Sequence, residues 1–324
     1  MKRLLALLLA LIFCLTAFAA CGGEEKEANT VRIGAMTGPT GIGMVKMMHD
    51  HEESDTYEFT VKSAADQLQP LLLQGELDAA AVPANLASVL YNKSEGKIRV
   101  AAINTLGVLS VLERGESILS LADLRGKTVY MLTASKGAVP EYTLRYLLEE
   151  NGLDPDKDVH FEWKSQEEIL AFLKSDAGQG GIAMLPQPAV TAALTQVTGL
   201  RVACDIGDAW EELDTPAQSV TGVLVVRADF AEKNPKAYKK LLEDYEASIN
   251  YVKANADEVA PYVESYIGIK APIAKKAIPS CNLTYIDGEE MKETLSAYLA
   301  VLFDQEPKSV GGKLPDDAFY LGSE

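Results

Sequence analysis

The chain has 324 residues, of which 48% are hydrophobic, and its 30 basic and 47 acidic residues give a formal net charge of −17. This length and apolar content predict two domains, each large enough to bury a core of its own. A surface with this much negative charge repels the phosphate backbone, so we exclude nucleic acid as a partner.

The beginning of the chain predicts an export signal. Two basic residues precede a long apolar run that ends in small residues before Cys21. The sequence FAAC at that point resembles a bacterial lipobox, in which the cysteine is lipidated and becomes the first mature residue. We therefore expect a lipoprotein signal peptide over 1–20, a lipid on Cys21 and a flexible tether over 21–29, which is too polar to fold. Loss of Cys21 by cleavage, or an uncleaved anchor helix, is the alternative.

From residue 31 onward, apolar runs alternate with helical patterns, which is typical of parallel sheets covered by helices. Helices fill most of the gaps between strands. A capping box at Ser165 and Glu168 opens one helix through Lys174, and Asn151-Gly152 closes another. The predicted strands lie near 31–36, 57–63, 78–82, 98–104, 127–132, 158–163, 180–184, 200–204 and 220–226.

The last third of the chain has a different pattern. From Asp229 to Phe303 it predicts mainly amphipathic helices, with one short strand at 282–286. Proline disfavours the helix interior, so we expect breaks in these helices at four prolines. They are Pro235, Pro261, Pro272 and Pro279.

Two extended apolar segments, 100–114 and 219–230, predict crossings between two lobes. The first is too long for one ordinary strand and is followed by an independent α/β unit. Two strands that join two α/β lobes form a hinge, and a ligand is enclosed in the cleft between the lobes. We expect lobe 1 over 30–106 and 222–324, and lobe 2 over 107–221.

Two cysteines remain after the predicted signal and anchor, Cys204 and Cys281. Outside the cytosol they can pair in a disulfide. Two free thiols are the alternative, because a sequence does not provide the Cα separation that a disulfide requires.

Several segments of the chain resemble the substrate-binding proteins of ABC importers, in the nitrate, sulfonate, taurine and thiamine-precursor pyrimidine group. That group has the α/β, two-lobed type II periplasmic-binding fold with two hinge crossings. The likeness covers the chain from about residue 30 to its end, and its order and spacing are specific to the fold rather than to the ligand. The segments are VRIGAMTGPTG, LLLQGELDAAAVPANLASVLYNK, LADLRGKTVYMLTASKG, GLDPDKDV, GGIAMLPQPAVTAAL and VTGVLVVRADFAEKNPKAY.

The resemblance implies an extracytoplasmic solute-binding component of an ABC importer. Such a protein captures a small polar solute by lobe closure and delivers it to a permease with its ATPase. We expect an anionic organic solute, similar to a sulfonate, nitrate or taurine, or a pyrimidine. We also expect a monomer held by its lipid at the outer face of a bacterial cell membrane.

The alternatives are an enzyme of the same fold that makes a pyrimidine or quinone precursor, and a sensory ligand-binding module. The chain has no phosphate-binding P-loop, no Gly-x-Ser-x-Gly elbow, no convincing histidine triad and no Cys or His pair with zinc spacing. We therefore expect no catalytic residue, no cofactor and no metal.

Ligands of open α/β lobes bind beyond the carboxyl ends of the strands. The first candidate loop has this position and contains Thr37, Gly38, Pro39, Thr40 and Gly41. Its glycines permit close backbone approach, and its hydroxyls and the following helix N-terminus supply donors. We interpret it as a cradle for an acceptor-rich group, with a plain strand-to-helix turn as the alternative.

Three polar residues near other predicted strands are further candidates. Asn85 follows a buried strand, where it either caps the next helix or faces the cleft. Asn104 interrupts the outgoing hinge strand, and Thr221 lies on the returning one. Polar groups inside apolar runs need partners, which a ligand can supply.

The remaining candidates lie in the second lobe. Thr133, Ser135 and Lys136 precede a helix, where a cation opposes the helix dipole unless an anion binds nearby; a solvated lysine is the alternative. Gln187 lies between two prolines and offers both a donor and an acceptor. Trp210 either stacks on a ligand or packs in the core, and we favour packing.

Overall fold

A computed structural model gives the structure of the chain. It describes residues 30–213, 215 and 217–322. The predicted signal peptide, the predicted lipidation site at Cys21 and the predicted tether lie outside the described residues.

The strands follow the predicted positions closely. They are β1 (Val31–Met36), β2 (Tyr57–Lys62), β3 (Ala79–Pro83), β4 (Ile98–Leu106), β5 (Leu109–Glu113), β6 (Lys127–Leu132), β7 (Val159–Lys164), β8 (Ile182–Pro186), β9 (Arg201–Asp205), β10 (Val220–Arg227) and β11 (Leu283–Ile286).

The α-helices fill the gaps between strands and most of the last third of the chain. They are α1 (Pro39–Ile42), α2 (Val45–Asp50), α3 (Ala65–Gln74), α4 (Ala84–Lys93), α5 (Val139–Glu150), α6 (Gln166–Lys174), α7 (Ala189–Gln196), α8 (Ile206–Glu211), α9 (Ala228–Lys233), α10 (Pro235–Ala254), α11 (Ala256–Tyr262), α12 (Ala271–Ala277) and α13 (Gly288–Gln305).

The strands form two separate sheets. Sheet A has the order β11-β4-β10-β3-β1-β2, and sheet B has the order β7-β6-β8-β5-β9. The chain leaves sheet A through β4, turns at Gly107 and Val108, enters sheet B through β5, and returns to sheet A through β10. The prediction of two α/β layers with two crossings is confirmed.

The prediction of parallel sheets was wrong for part of each sheet. Strands β2, β1 and β3 are parallel, but β10 is antiparallel to both β3 and β4. In sheet B, β7, β6 and β8 are parallel, while β5 is antiparallel to β8 and β9. Strands buried on both faces are apolar throughout in either orientation, so the hydrophobic pattern cannot distinguish the two directions.

Two helix boundaries predicted from local sequence signals are confirmed. Ser165 accepts from the backbone of Glu168 and Glu168 accepts from the backbone of Ser165, so the capping box opens α6. Asn151 is the C-cap of α5, and Gly152 follows with a positive φ of 72°.

The prolines behave less uniformly than predicted. Pro235 and Pro272 lie in the first turns of α10 and α12, where the missing N–H is not needed. Pro279 lies in a short 3₁₀-helix. The break expected at Pro261 is wrong: this proline lies inside α11, and the helical backbone continues past Tyr262 into the π-helical turn Val263–Ile267.

The C-terminal helix α13 packs against both layers. It contacts α4 and β4 on the side of sheet A and α5 on the side of sheet B. The fully buried ring of Trp210 lies 4.9 Å from the ring of Tyr146 on α5 and 5.6 Å from the ring of Tyr298 on α13. The packing role favoured for Trp210 is therefore confirmed.

Cys204 and Cys281 are both free thiols, so the disulfide considered for them is not formed. Cys204 lies on β9 at an edge of sheet B, whereas Cys281 is buried just before β11 of sheet A. Cys204 thus lies in sheet B and Cys281 beside sheet A, which is a relation that the sequence could not reveal.

A buried carboxylate stabilises the start of the second lobe. Glu113, at the end of β5, accepts hydrogen bonds from the backbone N–H and hydroxyl of Ser117, at 2.9 and 2.6 Å, and from the N–H of Ile118 at 3.1 Å. Its other partner is Arg201 Nη2 at 2.6 Å. Burial alone raises the pKa of Glu113, but the bonds from Ser117 and Ile118 and the charge of Arg201 hold it below its ordinary value.

We expect Glu113→Gln to lower the free energy of unfolding at neutral pH by about 2 kcal/mol, because the amide loses the charge and places a donor against backbone N–H groups. A carboxylate with a depressed pKa stabilises the fold above its unfolded pKa of about 4.3, and this contribution is lost as the pH falls through the folded pKa. The difference between wild type and variant should therefore shrink in acid. Urea unfolding at several pH values measures it, with exposed Glu116→Gln as the control. An equal effect of both variants would contradict the assignment.

Candidate functional site

A cleft of about 440 Å³ lies where the two sheets face each other. It adjoins the carboxyl ends of β1 and β8, which is where open α/β layers bind ligands. Both sheets and the C-terminal helices supply its walls. The lining residues are Thr37, Gly38, Pro39, Val108, Leu132, Gln166, Pro186, Gln187, Pro188, Ala189, Ala192, Thr221, Ile269, Lys270 and Ile273.

Two other depressions have similar or larger volumes. One of about 510 Å³ lies beside the hinge and is lined by Gly107, Asp208 and Asn282 among others. One of about 760 Å³ lies around Arg227, at the opposite end of β10 from Thr221. Neither adjoins the carboxyl ends of parallel strands from both sheets, so we assign the candidate site to the first cleft.

The predicted first loop contributes directly to the cleft. Thr37, Gly38 and Pro39 line it. Gly38 has a φ of 118°, which favours glycine, and its carbonyl accepts from the N–H groups of Gly41 and Ile42 to form the single turn of α1. A side chain at Gly41 would place its Cβ 2.0 Å from the carbonyl oxygen of Met36, so glycine is required there by close packing.

Thr40 and Asn104 lie behind this loop rather than in the cleft lining. Both are buried, and both approach Gly222 on β10: a Cβ at Gly222 would lie 2.2 Å from Thr40 Cγ2 and 2.5 Å from Asn104 Oδ1. Asn104 Oδ1 accepts from the hydroxyl of Thr105 at 2.8 Å. These contacts join α1 to the two hinge strands.

Gln187 and Thr221, which were both predicted as site residues, line the cleft. Gln187 directly follows β8 of sheet B, and Thr221 lies on β10 of sheet A. A cis peptide bond joins Gln187 to Pro188. The side-chain Oε1 of Gln187 accepts from the hydroxyl of Thr191 at 2.8 Å and from its N–H at 3.3 Å. This contact orients the amide, so its Nε2 remains as a donor for the cleft.

Asn85 neither caps its helix nor lines the cleft. The N-cap of α4 is Pro83, and Asn85 falls too late in the helix to act as a cap. Its Nδ2 instead donates to the carbonyl of Ser309 at 3.0 Å, which ties the start of α4 to the C-terminal segment. The capping interpretation was wrong because a tertiary contact takes this side chain.

Thr133, Ser135 and Lys136 are also absent from the described residues that line the cleft. Thr133 and Ser135 belong to a 3₁₀ turn, and Lys136 is exposed. The N–H of Gly137 donates to Glu141 Oε2 at 2.7 Å, and Glu141 also accepts from Arg145. A carboxylate of the chain itself thus occupies the start of α5, where the sequence suggested an anionic ligand.

The apolar wall of the cleft was not predicted from the sequence. Ile269 and Ile273 come from the last third of the chain, where the sequence predicted helices but no site residues. Ile273 lies on α12, while Ile269 lies in the loop before it, so no single helical period marks the two as one wall. Between them, Lys270 donates from Nζ to Glu264 Oε1 at 2.9 Å, and this hydrogen bond raises the pKa of Lys270.

Within residues 30–213, 215 and 217–322, no group of three or more His, Cys, Asp or Glu side chains is arranged to hold a metal ion. No helix in the same ranges is long and apolar enough to cross a membrane.

Comparison with known proteins identifies the family. Residues 24–264 match the model of the NMT1-like family. The chain belongs to the NMT1-like family. A search of curated proteins found no match.

Solved structures with the same architecture are similar along most of the chain. An ABC transporter protein from Parabacteroides distasonis is 25% identical, with a TM-score of 0.72 over 90% of this chain and 99% of the other. The periplasmic aliphatic sulphonate binding protein SsuA from Escherichia coli is 17% identical, with a TM-score of 0.69 over 89% and 92%. The periplasmic nitrate-binding protein NrtA from Synechocystis PCC 6803 is 16% identical, with a TM-score of 0.53 over 76% and 69%.

These matches agree with the resemblance inferred from the sequence segments. The two-lobed periplasmic-binding fold predicted for this NMT1-like protein is confirmed by its two mixed sheets and by the shared architecture of these structures. Identities below 25% show the fold and do not identify the ligand.

The contact of Thr40 with Gly222 can be tested by mutation. We expect Gly222→Ala to lower the free energy of unfolding by about 1–3 kcal/mol, because the new methyl group overlaps Thr40 Cγ2 and Asn104 Oδ1. In a Thr40→Ser background the same change should cost less, since Cγ2 is absent. Urea unfolding of the four proteins forms a double-mutant cycle. Identical costs in both backgrounds would exclude this contact as the cause.

Proposed function

We propose that the protein is the extracytoplasmic solute-binding component of an ABC importer and that the cleft holds its solute. The observation that carries this proposal is the cleft itself, which is lined by residues of both sheets in a chain of the NMT1-like family. A site between two layers that are joined by a hinge suits capture and release by lobe motion.

The lobes that we propose are 30–106 with 222–324, and 107–221. Their relative motion would bend the chain at the Gly107 crossing and before β10. Helix α12 contacts α7 across the cleft, so these two helices would form one rim of the cleft when the lobes are closed. A permease with its ATPase would recognise the closed arrangement, which the bound solute stabilises.

We propose distinct roles for the predicted site residues. Thr37, Gln187 and Thr221 donate or accept hydrogen bonds to the solute, since all three line the cleft. Gly38 and Pro39 shape the wall around them. Thr40, Gly41 and Asn104 hold this wall against the hinge strands. Asn85, Thr133, Ser135 and Lys136 stand outside the proposed set of contacts.

We also propose that the protein is a monomer attached to the outer face of the bacterial membrane through a lipid on Cys21. The sulphonate-binding and nitrate-binding proteins of similar architecture are periplasmic, which supports a location outside the cytoplasm. Binding proteins carry no reaction of their own, so the proposal assigns no catalytic residue.

A thermal-shift screen tests the function. The purified protein is heated with sulfonates, nitrate, carboxylates, amides and pyrimidines. A solute that binds the folded state at a hundred times its Kd adds about 2.7 kcal/mol to the stability, which raises the Tm measurably. Native mass spectrometry of the same preparation identifies any solute that co-purifies.

Two variants decide whether a solute found in this way occupies the cleft. We expect Ala192→Leu to abolish binding, because the larger side chain fills the space between α7 and α12. Thr195→Leu places the same side chain on an exposed position of the same helix and should leave the Kd unchanged. Equal affinities for wild type and Ala192→Leu would refute the cleft as the site.

The lipid anchor has its own test. We expect Cys21→Ser to move the protein from the membrane fraction to the soluble fraction of its bacterial host, because a serine has no thiol to accept the lipid. Fractionation followed by immunoblotting measures the distribution. Retention of the variant in the membrane would favour the alternative of an uncleaved anchor helix.

A further inference from the structure

Among the described residues that line the cleft, Lys270 is the one with a charged side chain. The Nζ of Lys270 lies 2.9 Å from Glu264 Oε1, and the lysine side chain is 78% exposed. Its charge is therefore already paired and is screened by water. An anion enclosed beside Gln187 and Thr37 would meet no unpaired cation from these residues.

Two helix N-termini of lobe 2 bind carboxylates of the chain. At α5, Glu141 Oε2 accepts from the N–H of Gly137. At α6, whose Gln166 lines the cleft, Glu168 Oε2 accepts from the N–H of Ser165 at 2.8 Å. The positive ends of both helix dipoles are thus compensated by carboxylates already present, and a second anion there would be repelled.

The other two helix starts beside the cleft offer few donors. Helix α1 is one turn long and begins with Pro39, which has no N–H. In the first turn of α7, the N–H and hydroxyl of Thr191 both donate to Gln187 Oε1. Helix α7 also offers the N–H groups of Ala189 and Val190 at its first two positions. A buried anion needs more donors than these two to compensate its lost hydration.

The walls of the cleft are largely aliphatic. Val108 and Leu132 come from lobe 2, and Ile269 and Ile273 face them from the C-terminal segment. None of the lining residues in the described part of the chain is aromatic. The cleft can therefore bury an aliphatic group by the hydrophobic effect, but it lacks a ring on which a flat heterocycle could stack.

The polar groups that remain for a solute are neutral. They are the Nε2 donor of Gln187, the side-chain amide of Gln166 and the hydroxyls of Thr37 and Thr221. A carbonyl oxygen accepts from such donors without bringing a charge that needs compensation.

We propose that this cleft takes an uncharged solute with an aliphatic portion and a carbonyl-type acceptor, rather than an anion or a flat aromatic ring. This inference rests on the proposed solute-binding function and specifies its substrate class. The aliphatic portion lies against Ile269, Ile273 and Leu132, and the acceptor group receives a hydrogen bond from Gln187 Nε2.

Isothermal titration calorimetry of the purified protein tests the inference with five probes. Hexanamide has both required features; hexanoate and hexane-1-sulfonate keep its chain but add a charge. Acetamide lacks the aliphatic chain, and benzamide replaces it with a ring. We expect hexanamide to bind at least tenfold more tightly than each of the other four, a difference of about 1.4 kcal/mol or more.

A variant separates the role of the wall from general effects on folding. Ile273→Ser should weaken hexanamide about tenfold and leave the weak binding of acetamide unchanged, because acetamide does not reach the aliphatic wall. Thr195→Leu serves again as the control on the solvent side. A parallel loss for both amides would assign Ile273 a structural role and overturn the proposed contact.

The outcomes distinguish the inference from the function on which it rests. If hexanoate or hexane-1-sulfonate binds as tightly as hexanamide and Ala192→Leu abolishes this binding, the solute-binding function stands and the uncharged class is wrong. If the affinities do not respond to Ala192→Leu, the cleft is not the site and both fail. Failure of hexanamide to bind at millimolar concentration also overturns the inference, since a cleft with these walls and donors has to accept it.

Discussion

The central position of β10 in sheet A is the constraint on which the rest of the structure depends. This strand returns from the second lobe and inserts between β3 and β4, antiparallel to both. Its interior residues are almost fully buried, so the strand cannot slip by one residue without turning apolar side chains to the other face. Its register places Thr221 at the cleft and Gly222 beside Thr40, so the position of the loop that contains Thr37, Gly38 and Pro39 depends on strand pairing.

Charged groups near the cleft are compensated by other groups of the same chain. The chain has a net charge of −17, yet the cleft lining contains a single charged side chain among the described residues, and that lysine has an acidic partner. Glu141 and Glu168 compensate the N-termini of α5 and α6 locally. The overall negative field therefore has little influence on which neutral solute fits, although it disfavours the approach of anions from solution.

The two lobes also meet away from the hinge. The aromatic contact of Trp210 with Tyr298 fixes the C-terminal helix to α8, and α13 packs on α5 as well as on β4. A helix that contacts both lobes limits how far they can separate, because opening by a large angle would expose these buried rings to water.

The sequence by itself determined the position of the strands, the crossings between lobes and the capping of α6, because these features follow from local hydrophobic period and turn chemistry. The family resemblance came from matching sequence segments. It also located Thr37, Gly38, Pro39 and Gln187, since the ends of parallel strands meet at one edge, and Thr221, which is a polar residue on the returning hinge strand. Only the tertiary structure decided that Asn85 binds the C-terminal segment, that Asn104 lies behind Thr40, and that Ile269 and Ile273 form a cleft wall. Those contacts join residues far apart in the chain, and no local pattern records which distant group will satisfy a polar side chain or cover an apolar one.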